Sequence, residues 1–266
     1  MASRLVALGL ALTLGAATAG SAQAAGPAAQ VPDAATLATD SGVVSQIFAA
    51  TQSQGFNAIG ARLADLNAVL AHAPTRFAAT EIHGGVAYVR TRSVEDCLMA
   101  TMAVAMAMKK TPGLKKAVCV DNPYPFAAFL IGSYLDEVQK PEEALPILER
   151  GLTFDPQFPM LVAEKGAALN MLRRNPEALA EYQAGLAKIA LLSAGERGMM
   201  LRGEGFALTE LKRYDEAAKA YQDSLKVDPD HGHAAHELEY IARLRAGAPT
   251  AGMVIDSALR PSPAPK

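Results

Sequence analysis

The stretch from Pro125 to Arg245 repeats itself, and this repetition restricts the fold of the chain more than any other feature. Three segments align with one another: FAAFLIGSYLDEVQKPEEALPILERGLTFDP, MLVAEKGAALNMLRRNPEALAEYQAGLAKIA and MMLRGEGFALTELKRYDEAAKAYQDSLKVDP. Gly132, Gly166 and Gly205 hold the same place in each, which gives repeat lengths of 34 and 39 residues. A half-unit, HAAHELEYIARLRAG, follows. The period predicts a stack of small, similar units.

Each unit has the pattern of two helices that approach each other closely. The glycine marks the first helix, and the second helix carries a small residue at Ala144, Ala178 and Ala217. Large apolar or aromatic residues recur three places after each glycine and four places after each alanine: Leu135, Leu169, Leu208, Leu148, Tyr182 and Tyr221. This spacing places one apolar stripe of each helix against its neighbour. Asp-Pro pairs end the first and third units, because proline cannot continue a helix.

These residues resemble the tetratricopeptide repeat family, in which helix-turn-helix units of 34 residues stack into a right-handed solenoid. The resemblance implies an all-α fold, a right-handed helical-repeat solenoid over residues 125–246. Its parts are 125–158, 159–197, 198–231 and a terminal helix at 232–246. The second unit carries five extra residues near its end, which we interpret as a lengthened second helix.

The amino terminus has the pattern of an export signal. Arg4 precedes an apolar run from Leu5 to Ala17, and a small-residue cleavage site ends at Ala24, so residues 1–24 are expected to be removed. The expected location is the periplasm or the outside of the cell. Residues 25–40 are rich in alanine and proline, which predicts a flexible leader. The formal net charge of -2 gives no reason to expect nucleic acid as a partner.

Residues 41–122 form a mainly helical cap region before the repeats, either as degenerate repeats or as a separate cap. The paired Gly84-Gly85 predicts a small β-hairpin within it. Residues 247–266, which end in PSPAPK, are expected to be disordered. The expected elements of the cap are helices at Val43–Thr51, Phe56–His72 and Val94–Lys110, with the hairpin between Arg76 and Val89.

Cys97 and Cys119 are the chain's two cysteines, 22 positions apart. An oxidising compartment favours a structural disulfide between them. The alternatives are two buried free thiols or a redox pair, although the chain lacks a Cys-x-x-Cys motif.

Two groups of residues have spacings that would also suit a metal. Met99, Met102, Met106 and Met108 could supply thioether ligands to copper(I), but the helical spacing of three of them is also typical of ordinary core packing, which we expect. His233 with His236 or Glu237 could hold zinc or nickel on one turn of the terminal helix. Further ligands are not apparent for either group, so we expect no metal and no cofactor.

The resemblance also implies a binding groove lined by the first helix of each unit. Carried over by position, the groove residues are Phe126, Phe129, Ser133 and Asp136, then Met160, Ala163, Ala167 and Asn170, then Met199, Arg202, Phe206 and Thr209, and finally His233, His236, Tyr240 and Arg243. This groove would be apolar at one end, with aromatic and cationic groups at the other. The alternative is that Phe126, Met160 and Met199 only fill a narrow superhelix.

We therefore expect an exported scaffold or adaptor that binds a peptide or protein partner through this groove. The second hypothesis is a metal-binding or metal-delivery protein, which would use the histidine cluster or the methionine helix. A third is a small enzymatic domain in residues 41–122, where His72 and His83 are the histidines on offer. The repeats lack a recognisable catalytic motif, so we expect no enzymatic activity.

Overall fold

The computed structural model describes residues 32–247 apart from positions 76, 78, 93, 111, 190, 191 and 230. The predicted signal peptide, and the predicted tail beyond Gly247, lie outside the described residues. The described part is mainly helical and carries a small sheet. Its elements are α1 (Ala34–Gln54), α2 (Phe56–Ala61), α3 (Leu63–His72), β1 (Thr80–His83), β2 (Val86–Thr91), α4 (Val94–Met108), β3 (Lys116–Asp121), α5 (Tyr124–Glu137), α6 (Pro141–Phe154), α7 (Pro159–Met171), α8 (Asn175–Lys188), α9 (Ala194–Glu210), α10 (Tyr214–Val227) and α11 (Gly232–Arg245).

The first helix starts well before the expected position. The Asp33 carboxylate accepts a hydrogen bond from the Thr36 N–H at 2.8 Å, which caps α1 at its start. Leu37 belongs to a buried cluster, so this turn packs against the rest of the cap. The prediction of a flexible leader through residue 40 is therefore wrong for residues 34–40. The helix expected over Phe56–His72 is present as α2 and α3, with a break at Arg62.

The cap region contains the predicted hairpin and one strand that sequence reasoning missed. β1 pairs antiparallel with β2 across Gly84 and Gly85, both of which have positive φ. β3 pairs in parallel with β2, and α4 makes the crossover between them. None of the elements expected of the cap covers the β3 segment. Its strand character depends on β2, a partner about thirty residues earlier in the chain.

The two cysteines form a disulfide that joins α4 to β3. Cys97 and Cys119 have Cα atoms 5.7 Å apart, and Cys119 lies opposite Val89 in the sheet register. The pairing expected from the sequence is present. It ties the first part of the crossover helix to the strand that follows it.

The methionines of α4 do not fill the core, and our expectation that they would is wrong. Met99, Met102 and Met106 are each more than half exposed, and Leu98 beside them is equally open. The helix packs on β2 and β3 through its other side. The sequence spacing showed correctly that these residues share a face, but the position of the sheet decides which face is buried.

The repeat region consists of three helical hairpins and a final helix. α5 pairs with α6, α7 with α8 and α9 with α10, and each hairpin packs on the next, while α11 packs on α10. α5 also contacts α7, and α7 contacts α9, so these first helices form one layer. The five extra residues do not lengthen α8, which has 14 residues like α6 and α10. They fall instead between α8 and α9 and in a longer α9 of 17 residues.

The predicted close approaches between helices are present. A Cβ built on Gly132 would lie 2.3 Å from Leu148, one on Gly166 would lie 2.4 Å from Tyr182, and one on Gly205 would lie 2.8 Å from Tyr221. Real Cβ atoms do not tolerate such contacts, so each glycine is required by the large side chain facing it. Ala144, Ala178 and Ala217 are fully buried. The residues that recur with the repeat period are therefore those that pack the two helices of each unit together.

Each hairpin also turns at a residue with a left-handed backbone. Gln139, Arg173 and Lys212 have φ angles of 61, 58 and 60°, and each lies seven places after its repeat's glycine. Non-glycine residues rarely adopt this conformation. The same turn geometry therefore recurs in each repeat, although the sequence lacks the glycine that usually indicates such a turn.

Candidate partner-binding surface

The candidate surface is the layer of first helices, α5, α7 and α9, together with α11, which holds the equivalent place in the sequence of the last half-unit. One polar residue occupies the same position on each of them, four places after the repeat glycine or its equivalent. We call this set the polar row, and it consists of Asp136, Asn170, Thr209 and Arg243. The helices that carry the first three pack side by side, so the row crosses from one repeat to the next.

Three of the four residues of the polar row are buried, and two of these lack side-chain hydrogen bonds. Within the described residues, neither carboxyl oxygen of Asp136 and neither amide atom of Asn170 has a hydrogen-bond partner. Ser133, one turn before Asp136, has an unpaired hydroxyl as well. Thr209 differs, because its hydroxyl donates to the Gly205 carbonyl at 2.9 Å. Buried polar groups normally find partners, so these unpaired atoms mark a place where a ligand could supply them.

The environment of Asp136 favours its neutral form. Burial, together with the smaller effect of the nearby charge of Glu164, raises the pKa of this carboxyl to about 8. At neutral pH the protonated acid therefore predominates and offers an O–H donor. Asn170 offers both a donor and an acceptor, whereas Arg243 offers only donors. The polar row thus changes from neutral at α5 to cationic at α11.

The predicted apolar end of the groove is largely covered. Phe129 has no exposed surface, and Phe126 packs edge-on against Phe48 of α1 with ring centroids 4.9 Å apart. Phe126 also stacks on Phe158 at 5.5 Å. Phe129, which we predicted to contact a partner, offers no surface to one in this structure, because it packs against Phe126 and Phe158. Met160 is partly buried against the same cluster.

Arg202 does not offer its charge to a partner either. Its side chain is only 6% exposed, and its guanidinium donates to the Asp228 carboxylate at 3.0 Å. The partner role that we predicted for Arg202 is therefore wrong. Asp228 belongs to the Asp-Pro pair that ends the third repeat, so the ion pair connects α9 to the end of α10.

The aromatic and cationic end remains accessible. Met199, Phe206, His233 and Tyr240 are partly exposed, and His236 and Arg243 are exposed. The Arg243 guanidinium lies 5.9 Å from the centroid of the Tyr240 ring, within range of a cation–π contact. Predicted residues at this end can therefore reach a partner without a change in the packing.

Three of the histidines lie near a carboxylate of their own region. His72 lies 3.0 Å from the Asp40 carboxylate, His83 lies 3.4 Å from that of Glu81, and His233 lies 3.7 Å from that of Glu237. Among the described residues, no group of three or more His, Cys, Asp or Glu side chains is placed to hold one metal ion. The alternative of a histidine metal site is not favoured.

A cavity of about 630 Å³ lies beside the covered end, and sequence reasoning missed it. Val44, Phe48 and Phe126 form its apolar wall, and the disulfide forms another part of the lining. Arg92 and Asn122 add polar groups. Arg92 already pairs with Asp96 and Asp155, at 2.8 and 3.2 Å. No motif announces the cavity, because α1, the sheet and α5 come together only in the folded chain.

The arrangement defines a class of protein, a helical-repeat protein with a helical cap that contains a small sheet. Comparisons point to a family within this class: residues 204–231 match the family model described as tetratricopeptide repeat. A curated relative, mouse tetratricopeptide repeat protein 21B, is 29% identical over 107 residues. The match covers 40% of this chain and 8% of the mouse protein, so the chain spans a small part of that relative. The resemblance found in the sequence is thus supported.

Solved structures with helical repeats are also similar to this chain. The first tetratricopeptide domain of human RPAP3 has a TM-score of 0.43 at 22% identity, over 47% of this chain and 94% of that domain. The Sgt2 tetratricopeptide domain from Aspergillus fumigatus has a TM-score of 0.43 at 17% identity, over 52% of this chain and 92% of that domain.

Proposed function

We propose that this protein is an exported, non-enzymatic scaffold or adaptor that holds an extended segment of a partner protein along α5, α7, α9 and α11. The observation that carries the proposal is the polar row, which provides one hydrogen-bonding side chain in each repeat. An extended peptide presents N–H and C=O groups at regular intervals. A side chain that recurs once in each repeat suits such a ligand by meeting its backbone at intervals of several residues.

The unpaired groups of Asp136 and Asn170 supply the energetic argument. A buried polar atom without a partner raises the free energy of the unbound protein by about 1–3 kcal/mol. A peptide backbone that enters the row provides the missing partners and removes this penalty. Asn170 is only 1% exposed, so its amide pairs with an N–H and a C=O of the same strand only when the arriving partner displaces the residues that cover it.

The direction of the bound segment follows from the charges. Arg243 provides the cationic end, while Asp136 is mainly neutral below pH 8. A partner segment with an acidic group at the α11 end would pair with Arg243 through charge-assisted hydrogen bonds. Apolar side chains of the partner would lie against Phe206 and Tyr240.

Export is the second part of the proposal. The basic start, apolar run and small-residue site before Ala25 support it, and the Cys97–Cys119 disulfide suits an oxidising compartment. Fractionation of the source cells, with sequencing of the amino terminus, tests this part. Recovery of the chain from the cytoplasm with Met1 retained would refute it.

The binding proposal is tested by crosslinked capture from the source cells with the full chain. We expect Asn170→Ala and Arg243→Ala each to reduce recovery of the same partner about tenfold or more. Lys219→Ala serves as the control, because Lys219 is an exposed side chain of a second helix, α10. If both groove variants retain the partner as well as the control does, the polar row is not the binding site.

A further inference from the structure

The outward face of α4 is an apolar surface in a part of the molecule that the proposed function does not use. Leu98, Met99, Met102 and Met106 are between 51 and 69% exposed. Their spacing places them along one side of the helix, opposite the side that packs on β2 and β3. Single exposed apolar residues are ordinary, but four on one helix face indicate an interaction site.

A cluster of lysines continues this apolar face. Lys109 and Lys110 follow Met106 by three and four residues and are exposed, as are Lys115 and Lys116 at the start of β3. The Lys115 N–H donates to the Gly85 carbonyl at 2.7 Å, which fixes this segment against the hairpin turn. From Cys97 to Val120 the sequence contains four lysines and no acidic residue. This charge stands out in a chain whose net charge is -2.

We propose that the α4 face and its four lysines dock on the surface of an anionic lipid bilayer. An amphipathic helix lies in the plane of the interface when its apolar side enters the acyl boundary and nearby lysines meet the headgroups. Clusters of four to eight basic residues are typical of segments that recognise anionic lipid. Methionine and leucine supply the shallow apolar insertion, and long lysine side chains reach the headgroups while their stems remain in the interface.

The charges favour a lipid surface over a second copy of this chain. Two copies of α4 packed together would bury the methionines, but the four lysines of each copy would lack enough opposing acids. Asp96, at the start of α4, already pairs with Arg92 at 2.8 Å. An anionic bilayer instead offers negative charge along the whole length of the surface.

This docking would leave the polar row free. The packing partners of α4 are β2 and β3, whereas the polar row lies on α5, α7, α9 and α11. The protein would then hold its partner while its cap region rests on a membrane. The two proposals are independent, because each can fail without the other.

The test is cosedimentation of the full chain with vesicles of phosphatidylcholine alone or with one third phosphatidylglycerol. We expect binding to the anionic vesicles only, with an affinity that falls as salt is added. Lys109→Gln with Lys110→Gln should weaken binding about tenfold or more, and Met102→Ser with Met106→Ser should weaken it severalfold. The apolar run from Leu5 to Ala17 can also enter lipid. The vesicle affinities are therefore compared between variants that all contain this run.

Two control variants match these changes. Lys219→Gln with Lys226→Gln removes two equally exposed lysines from α10, and Val138→Ser removes an exposed apolar side chain from the α5–α6 turn. Both should bind like the original protein. Equal binding to neutral and anionic vesicles, or equal losses in test and control variants, would overturn the proposal. The proposal would also fail if the protein did not bind vesicles but formed a dimer that Met102→Ser dissociates. The α4 face would then be covered by a second copy of this chain.

Discussion

Gly166→Ala is the sharpest test of the close helix packing on which the repeats depend. The added methyl group would lie 2.4 Å from the ring of Tyr182. The ring cannot retreat toward the next repeat, because a Cβ on Gly203 of α9 would lie 2.2 Å from it on the other side. Tyr182 is also buried and donates a hydrogen bond to the Ala163 carbonyl at 3.3 Å.

Two opposing contributions decide the size of the effect. Overpacking of a filled core costs about 1–3 kcal/mol, and the clamped ring places this site at the upper end of that range. Alanine recovers about 1 kcal/mol of helix propensity relative to glycine. We therefore expect a net loss of about 2 kcal/mol, measured as a lower urea midpoint by circular dichroism.

Gly195→Ala provides the matched control, because a Cβ there meets nothing within 4 Å on α9. It should leave stability unchanged or raise it by up to about 1 kcal/mol. In the double variant Gly166→Ala with Tyr182→Leu, the smaller side chain should relieve the clash, so its loss should be less than the sum of the single losses. Equal midpoints for Gly166→Ala and Gly195→Ala would refute the packing argument.

The remaining predictions concern the disulfide, a buried acid and a turn. Cys97→Ser with Cys119→Ser should lower the free energy of unfolding by about 3 kcal/mol, measured by urea titration, and reduction of the original protein should do the same. Because the folded-state pKa of Asp136 is raised to about 8, its contribution to stability is present near pH 4 and is lost as pH rises toward 8. Asp136→Asn should therefore raise the melting temperature at pH 8 and leave it nearly unchanged at pH 4; equal shifts at both values would contradict this. Lys212→Gly should raise stability by about 0.5 kcal/mol or less, because relief at a φ of 60° is partly offset by the greater freedom of the unfolded chain, and a clear loss on thermal unfolding would show that the turn is not strained.

Much of the repeat fold could be predicted because its determinants are close in sequence. The glycine and alanine positions, and the large residues that face them, recur at fixed spacing, and the structure brings them into contact as expected. Helix boundaries were harder to predict where a single capping or turn residue sets them. Asp33 caps the start of α1 inside the segment that looked like a leader, and the turns at Gln139, Arg173 and Lys212 lack the usual glycine.

The candidate site was predicted only in part, for a different physical reason. The groove positions transferred from the repeat family include Phe206, Tyr240 and Arg243, and the structure leaves these side chains accessible. The same reasoning also placed Phe129 and Arg202 in the groove, but other side chains of the repeat region engage them. Phe129 packs against Phe126 and Phe158, and Arg202 is held by Asp228. A repeat pattern describes what equivalent positions share and says nothing of what else packs on them.

The sequence by itself determined the stacked helical hairpins, and it favoured a disulfide between the two cysteines without deciding it. Helix pairs depend on local spacing, so their rules can be read from neighbouring residues. Only the tertiary structure decided that β3 joins β2, that the methionines of α4 face outward, and that the polar row leaves Asp136 and Asn170 without internal partners. Each of these depends on contacts between distant parts of the chain, and such contacts exist only once the helices and strands have packed.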